Sequence, residues 1–405
     1  MLEQVISDKA GWTRVAFGDV VRLSKKRAKN PEAEGYKCVV GLEHIDSGDV
    51  RIRRWADIAD GTTFTSVFKP GQVLFGKRRA YQRKVAVADF AGVCSGDIYV
   101  LEPSGDALMP ELLPFICQTD AFFDHAVGTS AGSLSPRTNW KSLASFEFLL
   151  PPVKEQVRLV EVLSALQYYE ESLRAAVSKA TKLEESLFGF RLFVQKTDSR
   201  LVSGNQFERL RSNFSMDRVS EIADVAYGIS AAVSGNTSPE IGWPIITGAN
   251  ITLDGRLDFG KLVYHPEPTK ESFMLSKGDI LLNWRSGSAA HVGKAAIFSE
   301  EGNWTYASFI LRIRVNEQQN TQYLWRLLNF MRKRKLFGAA TSQQINFKMN
   351  AAYFRDVLVP VTSKPAQDEI VTELQSVWRQ ISNARNRIAE VRKLRRIIIE
   401  EIGVE

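Results

Sequence analysis

The sequence predicts an α+β protein made of two similar domains with mixed β-sheets and short helices, joined by two long helices forming an antiparallel coiled coil. Three observations carry this. Motifs recur in the same order about half a chain apart, each half reads as short strands followed by helices, and each half ends in a long heptad pattern. The domains are expected at residues 1–151 and 197–362, and the long helices at 152–196 and 363–405.

The repeat comes first because it decides the fold. "VAFGDVVRL" resembles "VSEIADVAYG", matching Asp19 to Asp224 at an offset of 205. Ile45 and Ile251 match at 206, Gly71 of "KPGQVLF" and Gly278 of "SKGDILL" at 207, Pro151 and Pro360 at 209, and Gln156 and Gln367 at 211. Five ordered matches with so small a drift describe one unit used twice, with short loop insertions in the second copy.

Within the first copy "KCVVGLEHI", "GQVLFGKR", "VAVADF" and "DIYVLEP" are β-branched runs bounded by Gly, Asp and Pro, the pattern of short strands. The second copy has "WPIITGANI", "DILLNWR", "KAAIFS" and "SFILRIRV". A helix follows in each, "MPELLPFICQTDAFFDHAV" and "NTQYLWRLLNFMRKRKLF", then a polar loop and a last strand, "FEFLLP" and "DVLVP".

The prolines after that strand suit the first turn of a helix, and Glu155 and Glu369 place negative charge at its positive end. The first long helix then shows a 3,4 spacing at Leu166, Tyr169, Leu173, Ala176, Ala180, Leu183, Leu187 and Phe190. The second shows it from Ile370, Leu374, Val377, Ile381, Ala384, Ile388 and Val391 to Ile398 and Ile402, broken only by Arg395. A helix of about 36 residues is roughly 54 Å long. Their matched lengths favour pairing with each other over a homodimer zipper.

The 405 residues exceed one ordinary core, and 44% hydrophobic with 24% charged residues is a globular composition. No run of 18 apolar residues occurs, so no membrane is expected as a partner, and "MLEQVISDKAGWTRV" does not read as a secretory signal. Cys38, Cys94 and Cys117, odd in number and far apart, suggest a reducing cytoplasm. The net charge of +7 favours polyanionic partners.

Catalytic patterns are few. "GTSAG" at 128–132 offers Ser130 as a nucleophile with His125 nearby, but a helix rather than a strand precedes it. No metal-ligand spacing, phosphate-cradling loop or dinucleotide fingerprint occurs, so no metal or cofactor is expected on this chain. A binder is the leading reading. The alternatives are a serine hydrolase using Ser130 and a coiled-coil scaffold whose basic patches meet acidic proteins.

Basic clusters then single out candidate contacts to double-stranded DNA. "SKKRAK" supplies Lys25 and Lys26, and "KRRAYQRK" supplies Lys77, Arg78, Arg79, Tyr81, Arg83 and Lys84. The second copy supplies Arg285, Lys294, Arg332 and Lys333. Polar loops add Arg137 and Asn139 from "SPRTNW", and Gln343, Gln344, Asn346 and Lys348 from "TSQQINFK". Arg suits guanine and Asn or Gln suits adenine in the major groove, while Lys and Arg also hold phosphates.

"FGDV" and "IADV" opening the copies, "KPGQVLF" and "SKGDILL", and "FEFLLPPVKEQ" and "FRDVLVPVTSKPAQ" before the long helices resemble the DNA-specificity subunits of type I restriction-modification enzymes. The resemblance spans nearly the whole chain. It implies two target-recognition domains, each reading half of a bipartite site, with the helices setting the gap. It also implies two methyltransferase subunits that methylate adenine with S-adenosylmethionine, and restriction or translocase subunits using ATP where cleavage occurs. This chain would then supply the address and no catalysis.

Overall fold

The computed structural model describes residues 9, 11–193, 210–230, 237–266, 270–337, 347–348 and 351–403. The chain divides into two compact units, Met1–Ala176 with Ala384–Glu405, and Val177–Asn383.

The first unit runs through β1 (Thr13–Ala16), α1 (Phe17–Val20), β2 (Val21–Leu23), β3 (Cys38–Val40), β4 (Ala56–Asp57) and β5 (Ser66–Phe68). Next come β6 (Val73–Gly76), β7 (Val85–Val87), β8 (Gly92–Cys94) and β9 (Ile98–Pro103). Short helices α2 (Leu113–Ile116), α3 (Asp120–Gly128) and α4 (Trp140–Ala144) lead to β10 (Glu147–Leu150) and the start of α5 (Val153–Leu192). One sheet has the order β2-β9-β6-β7, a second has β4-β3-β8-β5 with β3 and β8 parallel, and β1 pairs with β10.

The second unit repeats this plan. It runs through β11 (Ser215–Arg218), α6 (Val219–Ile222), β12 (Ala223–Tyr227), β13 (Trp243–Ile246), β14 (Val263–His265) and β15 (Ile280–Asn283). Then follow β16 (Arg285–Ser286), β17 (Ala295–Ile297), β18 (Thr305–Tyr306), β19 (Ile310–Val315) and α7 (Thr321–Lys333). It closes with β20 (Phe347–Lys348), α8 (Ala351–Asp356), β21 (Leu358–Val361) and the start of α9 (Lys364–Gly403). The sheet β12-β19-β15-β17 matches β2-β9-β6-β7 strand for strand, and β13 and β18 are parallel as β3 and β8 are. The repeated motifs therefore encode a repeated topology.

Alternation along the strands sorts the cores. Val73 and Phe75 of β6 join a cluster with Phe122, Leu159, Leu163, Ile398 and Ile402, whereas Leu74 points into a second cluster with Val40 and Phe68. In the second unit Ile280 and Leu282 pack with Phe188, Leu192, Ile370 and Leu374, and Leu281 packs with Ile246 and Tyr306. Each long helix thus takes part in the cores of the units it belongs to.

Three polar fastenings recur at equivalent positions. Gln156 is fully buried at the start of α5: it accepts from Met109 N at 2.9 Å and donates to Ala107 O and Pro151 O, both at 2.8 Å. Gln367 does the same in α9, accepting from Asn320 N at 2.8 Å and donating to Thr362 O at 2.8 Å. These glutamines are why the two helix starts share their grammar. Lys84 donates to Leu42 O at 2.5 Å and Lys294 to Gly248 O at 2.7 Å, each pinning a short 3-10 turn to the main sheet. Within those turns His44 Nδ1 accepts from Gly41 N, and Asn250 Oδ1 accepts from Thr247 N, both at 2.9 Å.

In each unit the two long helices pack together, and within the first unit they run antiparallel. There Leu159 and Leu163 share a core with Ile398 and Ile402, while farther along α5 Glu170 meets Arg395 and Arg392, each at 2.8 Å. In the second unit Arg191, near the end of α5, reaches Glu369 and Glu373 near the start of α9. The seam expected for α9 lies inward throughout, Arg395 included. That of α5 needs correction: Tyr169, Leu183, Leu187 and Phe190 are 42%, 51%, 39% and 47% exposed. The inward stripe is displaced by one residue along much of the helix and takes in Glu170, Leu173, Val177, Glu184, Phe188 and Leu192. Two of its members are carboxylates, which an apolar pattern passes over.

Glu170 and Arg395 are both buried, and Arg395 also donates to Gly48 O at 2.7 Å, tying the helix pair to the sheet domain of the first unit. Burial alone would raise the Glu170 pKa, but hydrogen bonds from Arg392 and Arg174 and the charges of Arg392 and Arg395 outweigh it and hold it below its ordinary value. Burial pulls Arg395 down as well, against the charge of Glu170. The carboxylate is the better witness to the pair, since three guanidiniums converge on it and an arginine stays charged at any ordinary pH. Because its folded pKa is depressed, Glu170 contributes stability that is fully present above the ordinary value of 4.5 and is lost as pH falls through the lowered one.

Glu170→Gln should therefore cost about 3–5 kcal/mol at neutral pH, as for breaking a buried pair. In urea titrations its deficit should shrink as the pH drops below the ordinary value of 4.5 and through the lowered one, and a constant deficit would contradict the assignment. Lys294→Met leaves the half-buried Gly248 carbonyl without its donor. Denaturant unfolding should show a loss of about 1–3 kcal/mol.

Candidate nucleic-acid interface

In the first unit the loop joining β6 to β7 carries most of the basic run. Arg79 and Arg83 adopt left-handed backbone conformations with φ of 54° and 53°, which for L-residues costs about 1–2 kcal/mol each. Between them one 3-10 turn holds Tyr81 outward, 56% exposed. The loop is anchored to the segment before α4: Arg79 N donates to Pro136 O at 2.7 Å, Thr138 N donates to Lys77 O at 3.1 Å, and Arg78 forms a β-bridge with Arg137. Asp97 lies between the two guanidiniums, 3.2 Å from Arg78 and 2.9 Å from Arg137. Burial raises its pKa, but hydrogen bonds and charge from Arg137 and Arg78 prevail and keep it below the usual value. Arg78 and Arg79 both donate to Ser135 Oγ, at 3.0 and 3.2 Å.

Lys25, Lys26 and Lys77 meet in a neighbouring groove of about 350 Å³, with Arg27 and Tyr99 on its walls. The Lys77 ammonium sits 4.6 Å from the Tyr99 ring centre. The fold thus gathers basic residues from three separate segments of the first copy. Arg27 and Asp97 were missing from the sequence-derived set. Arg27 lay within the quoted basic run, but a single acid in "SGDIYV" carries no signal of its arginine partners.

The second unit builds the same arrangement from the loop joining β15 to β17. Trp284 N donates to Phe309 O at 3.1 Å as Lys77 N donates to Asp97 O at 3.0 Å, so Arg285 is the counterpart of Arg78. Arg285 pairs with Lys348 through β16 and β20, as Arg78 pairs with Arg137. Where Arg78 has Asp97, Arg285 has Phe309, with its guanidinium 5.2 Å from the ring centre. Beside it opens a cleft of about 800 Å³ lined by Asn283, Arg285, Ser286, Ser288, His291 and Phe309, among others.

Other sequence-derived candidates have different employment. Lys84 and Lys294 hold the 3-10 turns, and Lys294 is almost fully buried. Burial, then the charge of Arg332, lowers the Lys294 pKa, and burial with Lys294 and Arg332 lowers that of His291. Lys294 Nζ lies 3.2 Å from His291 Nδ1, so a neutral imidazole accepting from the ammonium fits the pair. Arg83 binds Gln118 O and Asp120, and Arg332 binds Ala290 O and Leu253 O. Lys333 pairs with Glu185 on α5, and the Asn139 side chain caps α4 by accepting from Ser142 N at 2.9 Å. Gln343, Gln344 and Asn346 lie outside the described residues, and Lys348 is described in its backbone alone.

Ser130 stands at the end of α3, and its hydroxyl donates to Ala126 O at 2.7 Å. The His125 ring nitrogen Nε2 lies 2.7 Å from Ser142 O and is the donor there, while the Ser130 hydroxyl is directed to Ala126 O. The strand-turn-helix setting of a nucleophile elbow is absent at this position. Among the described residues, no helix is long and apolar enough to cross a membrane.

Residues 213–393 match the family model of the type I restriction modification DNA specificity domain. The chain is 28% identical over 171 residues to the specificity subunit of the type I restriction enzyme EcoDI of Escherichia coli, a match covering 42% of this chain and 38% of that one. The fold resembles that of the type I restriction-modification system S subunit from M. genitalium, with a TM-score of 0.53 at 13% identity over 99% of this chain and 98% of the other. The chain is thus similar, over its second half, to the DNA-specificity domains of type I restriction-modification systems, and the match spans under half the length of the curated relative.

Proposed function

We propose that this chain is the non-catalytic, sequence-specific DNA-binding subunit of a type I restriction-modification complex. Each unit presents its cross-linked basic loop to duplex DNA and reads one half of a bipartite site. The observation that carries this is the repeated pairing of loop and distant segment, Arg78 with Arg137 and Arg285 with Lys348. A basic group held at one equivalent place in two sequence-divergent units suits a ligand with a repeating anionic backbone. Phosphate contacts set register, and the variable side chains around them read bases.

The long helices set the gap between half-sites. Two methyltransferase subunits dock on this frame, draw an adenine out of each half-site and methylate it with S-adenosylmethionine, because the target atom is unreachable inside the stacked duplex. Restriction or translocase subunits, where present, use ATP. This chain holds no cofactor of its own, and the complex works in the cytoplasm.

Binding of the full chain to its duplex should fall steeply with salt. Arg137→Ala and Arg285→Ala should each lower the log–log salt slope by about one. Lys84→Met and Lys294→Met should leave that slope unchanged, because their ammonium groups are committed to carbonyls. A salt-independent interaction would refute the reading. Four residues added to each long helix, near Lys179 and near Ile381, lengthen it by about 6 Å. Mapping of methylated adenines should then show the gap widened by about two base pairs, with both half-sites unchanged. Altered half-sites would refute the ruler.

A further inference from the structure

The cleft of the second unit contains an unmet hydrogen-bond acceptor. Asn283 ends β15 and is 2% exposed. Its backbone is satisfied by Lys294 O at 2.9 Å and Gly293 N at 2.8 Å, and its Nδ2 donates to His291 O at 3.0 Å. Its Oδ1 has no partner. Buried acceptors are nearly always paired, so an orphan on a cleft wall needs a reason. The nearby Lys294 ammonium is engaged by Gly248 O and His291, and the Trp284 indole by Ser308 O.

The first unit fills the equivalent place differently. Gly76 N donates to Lys84 O as Asn283 N donates to Lys294 O, so Gly76 is the counterpart of Asn283, and Leu42 that of Gly248. A Cβ on Gly76 would lie 2.8 Å from Leu42 Cδ2, and one on Gly248 would lie 3.2 Å from Asn283 Oδ1. One space is therefore filled from opposite sides. A leucine from the turn fills it in the first unit, and a carboxamide from the strand in the second.

We propose that Asn283 is a specificity-determining residue of the second unit, accepting a hydrogen bond from the exocyclic amino group of a base in its half-site. This rests on the DNA-binding reading above. An asparagine with both amide atoms free favours adenine through two bonds. Here Nδ2 is committed, so the side chain acts as an acceptor alone. It accepts the amino hydrogens of adenine or cytosine and disfavours the keto oxygens that guanine and thymine present in the major groove. Gly248 has no side chain to crowd Oδ1 at the cleft wall, and Arg285 over Phe309 holds the adjoining wall.

The test begins with duplexes selected from a randomised pool by the full chain. One position of one half-site should admit adenine or cytosine and reject guanine and thymine. Replacing that base by its analogue lacking the amino group should weaken binding about ten-fold, the low end of single-base discrimination. The analogue for adenine (purine) and that for cytosine (pyrimidin-2-one) tell the two donors apart. The paired change Gly248→Leu with Asn283→Gly, which installs the first unit's filling, should abolish the preference there and spare the other half-site. Tight binding with no position sensitive to an amino group overturns the role of Asn283 and leaves the DNA-binding reading standing. A full chain that selects no duplex overturns both.

Discussion

The structure depends on how two long, polar helices bury one narrow stripe. Neither has a stripe that is apolar throughout: α5 turns Glu170 and Glu184 inward, and α9 turns Arg395 inward. An isolated buried charge would forbid the packing. It is permitted because each charge finds an opposite one: Glu170 meets Arg395 and Arg392, and Glu184 meets Arg326 of α7. Hydrophobic packing along such a seam tolerates sliding by a turn, whereas a buried ion pair does not, since a slip strands both charges. The Glu170 pairs therefore set the register of the two long helices as well as their contact.

The units share their fastenings and differ in their surfaces. Gln156 and Gln367 lock the same corner, and Lys84 and Lys294 pin the same turn. At the loop above that turn the chemistry diverges: Arg78 is held by Asp97, while its counterpart Arg285 rests over Phe309. The interior polar bonds are thus common to both units, while the loop contacts diverge.

Legibility in the sequence followed the same division. Topology was readable because strands and seams announce themselves through apolar periodicity, and the α9 seam came through intact even across Arg395. The α5 seam was displaced because Glu170 and Glu184 look like solvated face, while Leu183 and Leu187 look like core and are exposed. At the site, the basic segments were visible one by one. Their cross-links, Arg78 to Arg137 and Arg285 to Lys348, join residues 59 and 63 positions apart, which no local pattern encodes. The carbonyl partners of Lys84 and Lys294 were not legible for a simple reason: an ammonium seeking a carbonyl and one seeking a phosphate are the same letter.

The basic surface itself is partly neutralised, and that bears on what it is for. In the first unit Asp97 takes up charge from both Arg78 and Arg137, and Ser135 takes further donors from Arg78 and Arg79. Maximal affinity for a polyanion would leave those guanidiniums bare. Holding them costs electrostatic attraction but fixes where their remaining donors point, and a donor in a known place can distinguish one base edge from another. In the second unit an aromatic ring stands where the first has a carboxylate, and it supports Arg285. The two loops therefore hold equivalent arginines by different means, a carboxylate in one unit and an aromatic ring in the other.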